Sequence, residues 1–369
     1  MLELPGTQSS PHAAAVLGAG LPPAGSPSHA YLLHGQPGAG KAQAARAFAA
    51  VLLSEGVVDE AGARARVEHG THSDLTWVTP SGAHELLVSD IEPVIATAWH
   101  TPFESRRRVF VIERADTLSD VAANKLLKTL EEPPSFVHIL LLTDRLTQML
   151  ATITSRCQLV RFDSPSPEQI TERLVASGID GDTALACARL SLGDGRRARL
   201  LALSDGPALR GASEAFAVAA LNKRMGQERP WQEIVASGQR QAQEVAATME
   251  EELAADLELL PKRDRRRRET EHTEQSKRVQ RRVRTESLDL SLALVGLWYR
   301  DMACLAWESA DLVHHSDRYA ALEACLGPGP EALRAAVELI EESRRRLSLN
   351  VSEELALEAL AYRLEECLG

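Results

Sequence analysis

The sequence predicts an α/β domain built on a parallel, doubly wound sheet, then a small helical domain and a larger all-helical one. Three observations carry this. Short apolar runs alternate with segments of helical period as far as about residue 162. A glycine-rich loop ending in lysine sits between the first of those runs and the first long helix. Beyond Phe162 the strand signals stop. At 369 residues the chain exceeds one compact core and suits two or three domains. The expected divisions are 1–163, 164–205 and 206–369.

Residues 1–28 are rich in Pro, Gly and Ser around Ala13–Leu17 and read as an irregular lead-in with one short helix. His29–His34 is an apolar run of strand length, punctuated by Gly35-Gln-Pro-Gly-Ala-Gly-Lys41. Ala42–Leu53 then carries Ala45, Phe48, Ala49 and Leu52 at helical spacing. Leu75–Val78 and Arg108–Ile112 read as strands. Asp120–Leu130 reads as a helix stopped by Pro133-Pro134, and Val137–Leu142 as a buried strand. Ser164-Pro-Ser-Pro167 is a hinge-like break, followed by helical pattern from Glu168 to Leu203. From Gly206 onward everything legible is helical, and no repeat shows at the 20–50-residue periods of solenoids.

Composition narrows the function classes. Hydrophobic residues at 44% and charged residues at 25% exclude a disordered chain, a collagen and a coiled-coil rod. No apolar run approaches the ~20 residues that span a bilayer, and Phe136–Leu142 is of buried-strand length. The start shows no basic stretch leading into an apolar one, so a cytoplasmic protein without membrane partners is expected. Cys157, Cys187, Cys304, Cys325 and Cys367 are scattered and form no C-x-x-C pair, against both a disulfide framework and a zinc site. With 41 basic and 52 acidic residues the net charge is −11, which repels DNA at long range. Any nucleic-acid contact must come from a local basic patch, and aromatics at 4% weaken base stacking. The balance favours a protein that works through partners.

The spacing Gly35-x-x-x-x-Gly40-Lys41 between strand and helix is the context of a phosphate-binding loop. Glycines let backbone wrap phosphates, the helix start presents free N–H groups, and Lys41 adds a charge. The bland alternative is a Gly-Pro turn that merely starts a helix. Retained binding is a weaker expectation, because Ala42 stands where a hydroxyl would ligate Mg²⁺. The strand Val109–Ile112 ends in Glu113-Arg114-Ala-Asp116. Glu113 is a candidate metal-binding acid, or simply a surface acid. Arg114 occupies the water-activating position and cannot accept a proton. Hydrolysis is therefore expected to be disabled at two points.

Leu126-Leu-Lys-Thr-Leu-Glu-Glu-Pro-Pro134, followed by Thr154-Ser155-Arg156-Cys157, resembles the clamp-loader branch of the AAA+ ATPases. Within it, the resemblance is to the bacterial DNA polymerase III delta-prime family. The phosphate loop, Ala122-Ala-Asn-Lys-Leu-Leu and Leu349-Asn-Val-Ser-Glu-Glu-Leu-Ala-Leu-Glu358 fit in the same order. The likeness is strong over 29–162 and weak beyond until 347–364. It implies that Arg156 is an arginine finger reaching a neighbouring subunit's ATP, where a lone arginine would otherwise suggest a surface salt bridge. Cys157 is then a small buried residue rather than a reactive thiol. The nucleotide-facing set it implies is Gly35, Gly38, Gly40, Lys41, Ala42, Glu113, Thr143 and Arg196. The last stands in Gly193-Asp-Gly-Arg-Arg197, where the family often places a nucleotide-sensing arginine.

The family usually carries four zinc-binding cysteines before a Gly-Thr-His-x-Asp stretch. Gly70-Thr-His-Ser-Asp74 is present, but the segment 59–67 before it has no cysteine. No zinc is expected, with that segment a plain helical turn or loop and His69 and His72 solvated. Between Lys262 and Arg284 lie eleven basic and four acidic residues. They read as a solvated, self-paired helix face, or alternatively as a phosphate-contacting DNA site weakened by salt.

The implied protein is a clamp-loader subunit: an AAA+ α/β domain, a helical lid and an oligomerising helical collar. Its partners would be gamma/tau-like and delta-like subunits, with the sliding clamp and primed DNA met through the assembly. ATP or ADP is expected to bind weakly if at all, and Mg²⁺ only with it. The alternatives are a hydrolytically active motor subunit, opposed by Ala42, Arg114 and the lack of a long C-terminal extension, and a free-standing nucleic-acid binder, opposed by the acidic balance.

Overall fold

The computed structural model describes residues 4–22, 25–80, 86–203, 205–259, 262–347 and 352–369. It divides into two compact units, 1–166 with 193–195, and 167–192 with 196–369. The first three residues of the terminal motif, 349–351, fall outside the described residues. Among the described residues no helix is long and apolar enough to cross a membrane.

The first unit is the expected α/β domain. Strands β1 (Ala30–His34), β2 (Leu75–Val78), β3 (Arg108–Ile112), β4 (Val137–Thr143) and β5 (Gln158–Arg161) form one parallel sheet, ordered β2-β3-β4-β1-β5. Its helices are α1 (Pro11–Ala19), α2 (Lys41–Ser54), α3 (Glu60–Glu68), α4 (Val88–Thr97), α5 (Asp120–Glu131) and α6 (Ala151–Thr154). Both faces of the sheet are covered, so the central strands are apolar on both sides. Tyr31, Leu33, Val111 and Leu140 pack with Ala45 and Phe48 of α2 on one face. Leu32, Phe110, Ile139 and Leu141 pack with Ile91 of α4 and Leu126 of α5 on the other. The register His34↔Thr143 sets the ends of β1 and β4 side by side.

His138 lies buried in β4, its Nδ1 donating to the Ser28 carbonyl at 2.9 Å. Burial pushes its pKa down to about 4, with the bond to Ser28 opposing and Arg107 and His29 assisting. The unfolded chain therefore takes up this proton first as pH falls. The neutral ring contributes about 3 kcal/mol above pH ~6.5, lost progressively down to about pH 4. Urea midpoints are expected to drop between pH 7 and 4.5, and His138→Leu to flatten part of that slope. An unchanged slope in the variant would contradict this assignment.

The segment 59–67 is more than a turn. It forms α3, with the Asp59 carboxylate accepting from Gly62 N–H at the start and Ala63 and Val67 buried. Arg46 of α2 donates to the last carbonyls of α3, Val67 at 3.0 Å and Glu68 at 3.1 Å. Its guanidinium also lies 4.3 Å above the Trp77 ring. A capped, packed helix thus stands in the cysteine-free segment. Arg46→Ala is expected to cost about 1–2 kcal/mol by thermal melting, from the lost cap and cation–π contact; a change near zero would show the cap to be idle.

The second unit is all-helical: α7 (Pro167–Ala176), α8 (Gly181–Leu190), α9 (Gly195–Ala202, its first residue grouped with the first unit), α10 (Gly206–Leu221), α11 (Met225–Glu228), α12 (Trp231–Leu259), α13 (Lys262–Ala306), α14 (Tyr319–Ala324), α15 (Pro330–Leu347) and α16 (Glu353–Leu368). Ile170, Leu174, Cys187 and Leu201 share a core with Leu290 and Leu294 of α13, which ties the helices before 206 to those after it. A larger core gathers Phe216, Trp231, Trp298, Tyr299, Ile340 and Leu360. The basic run opens α13, which folds back along α12: His272 Nε2 donates to the Met249 carbonyl at 3.0 Å. At its end Arg284 pairs with Glu353 at 2.6 Å. The side chains at 262–264, 267, 268, 271, 274 and 275 lie outside the described ones.

Candidate functional site

β1 delivers the chain into the glycine loop at the edge where parallel strands end. Gly35 has φ +151° and Gly40 φ +97°, and Cβ atoms there would run into Phe162 and Gly6 backbone oxygens. Glycine is required at both for steric reasons. Gly38 takes φ +73° between them. The loop hands over to α2 at Lys41, whose side chain is buried.

Lys41 Nζ donates to the carbonyls of Gly35 at 2.7 Å and Gln36 at 2.6 Å. Its third partner is the Asp144 carboxylate at 2.7 Å. An ammonium has three N–H groups, and these acceptors use all of them. Ala42 is exposed on the first turn of α2 with only a methyl group to offer. Burial, then Arg161, His12 and Lys41, hold His34 below its usual pKa, so the strand end adds no charge at neutral pH.

The predicted acid Glu113 accepts from the Trp77 indole at 2.9 Å, on the β2 side of β3 and away from β4. The acid turned toward β4 is Asp116, which accepts from Thr143 Oγ1 at 2.8 Å. Thr143 is buried, and its hydroxyl also accepts from Arg145 N–H at 3.0 Å. Arg114 follows Glu113 in the left-handed region, φ +52°. Arg196 lies on the first turn of α9 in the second unit. The structure thus gathers Gly35, Gly38, Gly40, Lys41, Ala42 and Thr143 at one sheet end and directs Glu113 elsewhere. Among the described residues no group of three or more His, Cys, Asp or Glu side chains is placed to hold a metal ion. As arranged, these residues do not fit a Mg²⁺-nucleotide: the lysine is fully engaged, a carboxylate occupies its open side, and the loop offers no hydroxyl.

Arg156 follows α6. Its guanidinium pairs with Glu131, the last residue of α5, at 2.6 Å and donates to the Thr152 carbonyl at 2.8 Å. Both members of the pair are substantially exposed, so the bond is a weak one, about 0–1 kcal/mol. Beside it burial pushes the Cys157 thiol up to about 12, leaving it protonated and unreactive.

The Gly70–Asp74 stretch is a scaffold. Asp74 is buried and accepts N–H bonds from Phe103 at 2.7 Å, Glu104 at 2.9 Å and Ser105 at 2.9 Å. Arg108 adds a fourth bond at 3.1 Å. His69 is exposed, but His72 is buried, not solvated: Nδ1 accepts from Asp74 N–H at 3.1 Å and Nε2 faces Ser105 and Glu104. Burial holds its pKa low against the pull of Glu104 and Asp74.

Sequence reasoning missed Asp144, Asp116 and Glu131. Asp144 has no local signal and matters because β4 ends beside β1; Asp116 stood three residues beyond the predicted acid and matters because β3 ends beside β4. Glu131 stood inside the Leu126–Pro134 motif, yet its partner lies 25 residues on.

Residues 22–166 match the family model described as DNA polymerase III, delta subunit. The delta' subunit of Bacillus subtilis is 33% identical over 168 residues, covering 44% of this chain and 51% of the relative. That of Pseudomonas aeruginosa is 35% identical over 136 residues, covering 35% and 42%. The tau subunit of Escherichia coli is 33% identical over 156 residues, covering 40% and 23%. The matched stretch spans about half or less of each relative's own length. It coincides with the unit that carries the glycine loop and Arg156.

Proposed function

We propose that this chain, whose residues 22–166 match the DNA polymerase III delta-subunit family, is a delta-prime-type subunit of a bacterial clamp loader. It completes a ring with gamma/tau-like and delta-like subunits and lends Arg156 to a neighbour's ATP while its own site is hydrolytically silent. The ring in turn opens a sliding clamp onto primed DNA. No zinc is part of this reading, because α3 packs through Ala63, Val67 and Arg46 where thiolates would be needed. The observation that carries it is the contrast between the two ends of the unit. Lys41 is locked by its own protein, whereas Arg156 is exposed and held by a surface pair.

Similarity to tau at nearly the same identity keeps a motor subunit as the second reading. Ala42 and Arg114 favour the silent one, since neither can supply the metal ligand or the base that hydrolysis requires. The test is assembly. Mixed with the tau-type and delta-type subunits of its own organism, the chain is expected to co-elute in a stoichiometric complex that loads clamps and that fails when this chain is left out. Absence of co-elution, or ATP hydrolysis by the chain alone, would overturn the proposal.

A further inference from the structure

The acid on Lys41, Asp144, follows the strand-end Thr143 directly, and the reading above uses it only as a lock on the lysine. The ammonium's bonds to Gly35 and Gln36 come from loop backbone, which cannot leave without remaking the loop. Asp144 alone is a side chain, 39% exposed, and therefore the one partner that can swing away. Its carboxylate sits where an incoming phosphate would have to pair with the lysine. Two anions sharing one cation at hydrogen-bond range repel each other by more than a half-exposed medium screens. Ala42 also leaves Mg²⁺ without a loop ligand that could help relieve this. On the other side of the loop, Gly6 backbone lies against Gly40, and the adjacent Leu4 is buried.

We infer that Asp144 is a built-in substitute for a nucleotide phosphate, holding Lys41 in the pairing that a polyphosphate would otherwise take. The inference rests on reading 35–41 as a phosphate loop, as in the proposed function, and it makes Asp144 the residue that sets the affinity of this site for nucleoside polyphosphates. The backbone cradle for phosphate is then kept closed by one carboxylate, while Ala42 leaves it without a loop ligand for Mg²⁺. Removing the charge while keeping the shape should reopen it.

Titration calorimetry of the whole 369-residue chain with MgADP, and separately with pyrophosphate, tests this. Asp144→Asn is expected to bind both at least tenfold more tightly than the unsubstituted protein. Adding Lys41→Ala to Asp144→Asn is expected to abolish the gain, which assigns it to the freed lysine. Melting curves of the same samples identify a variant that has merely loosened the fold, and Asp144→Ser supplies a second, smaller neutral side chain expected to behave like Asp144→Asn. Equal affinity in wild type and both neutral variants would overturn the inference, as would tight binding by the wild type or a gain that survives Lys41→Ala. The measurement uses the isolated chain, so it is independent of assembly: failure to co-elute with clamp-loader subunits would sink the proposed function and leave this result standing.

Discussion

Asp74→Ala is expected to destabilise the first unit by roughly 3–5 kcal/mol, the scale for stripping one partner from a buried ion pair. The carboxylate is fully buried and accepts from three consecutive backbone N–H groups and from Arg108. Burial by itself would raise its pKa, but those bonds hold it below the usual carboxylate range. Truncation orphans three donors and leaves Arg108 facing an empty site. Asp74→Asn keeps the volume but turns one amide donor toward N–H groups, so a loss of about half that size is expected. The contribution of the charge is present above the unfolded carboxylate pKa and is lost as pH falls through the lower folded one. The same bonds shape residues 103–105, where Phe103 stands 85% exposed, so this loop should also gain hydrogen exchange. Equilibrium urea unfolding reads the loss directly, and a change under 1 kcal/mol in Asp74→Ala would show that the loop holds without its anchor.

Arg156→Ala is expected to reduce ATP turnover of the assembled loader tenfold or more, toward the ~10³ that arginine fingers supply in nucleotide hydrolases. The guanidinium rests on Glu131 and Thr152, and a largely exposed pair costs little to break, so reaching toward a neighbour is cheap. Arg156→Lys should recover only a small part, because a point charge cannot reproduce a planar two-point contact. Co-elution of either variant with its partners should be unchanged, which separates lost chemistry from lost assembly.

The sheet was legible because its inner strands are buried on both faces. Leu75–Val78 and Arg108–Ile112 coincide with β2 and β3, and the alternation of apolar runs with helices carried the parallel topology. β5 escaped because it is an edge strand whose Gln158, Leu159 and Arg161 are exposed, leaving no apolar run to find. α4 escaped because Pro93 lies inside it and argues locally for a break. His72 was misread for a different reason: what buries it is Ser105 and the loop wrapped on Asp74, some thirty residues distant. The glycine loop could be recognised from spacing alone. The partner of its lysine could not, since that depends on which strand ends are neighbours, and only the order β4-β1 brings Asp144 to Lys41. Glu131 and Arg156 were each visible in a motif, but their pairing is a product of how α5 and α6 pack.

The most direct measurement is steady-state ATP turnover by the reconstituted loader on primed DNA with clamp, comparing wild type, Arg156→Ala and Lys41→Ala in this chain only. A silent subunit that lends its arginine predicts a drop of an order of magnitude or more for Arg156→Ala and wild-type turnover for Lys41→Ala. The reverse pattern, with Lys41→Ala crippling turnover and Arg156→Ala leaving it intact, would make this chain a motor and contradict the account.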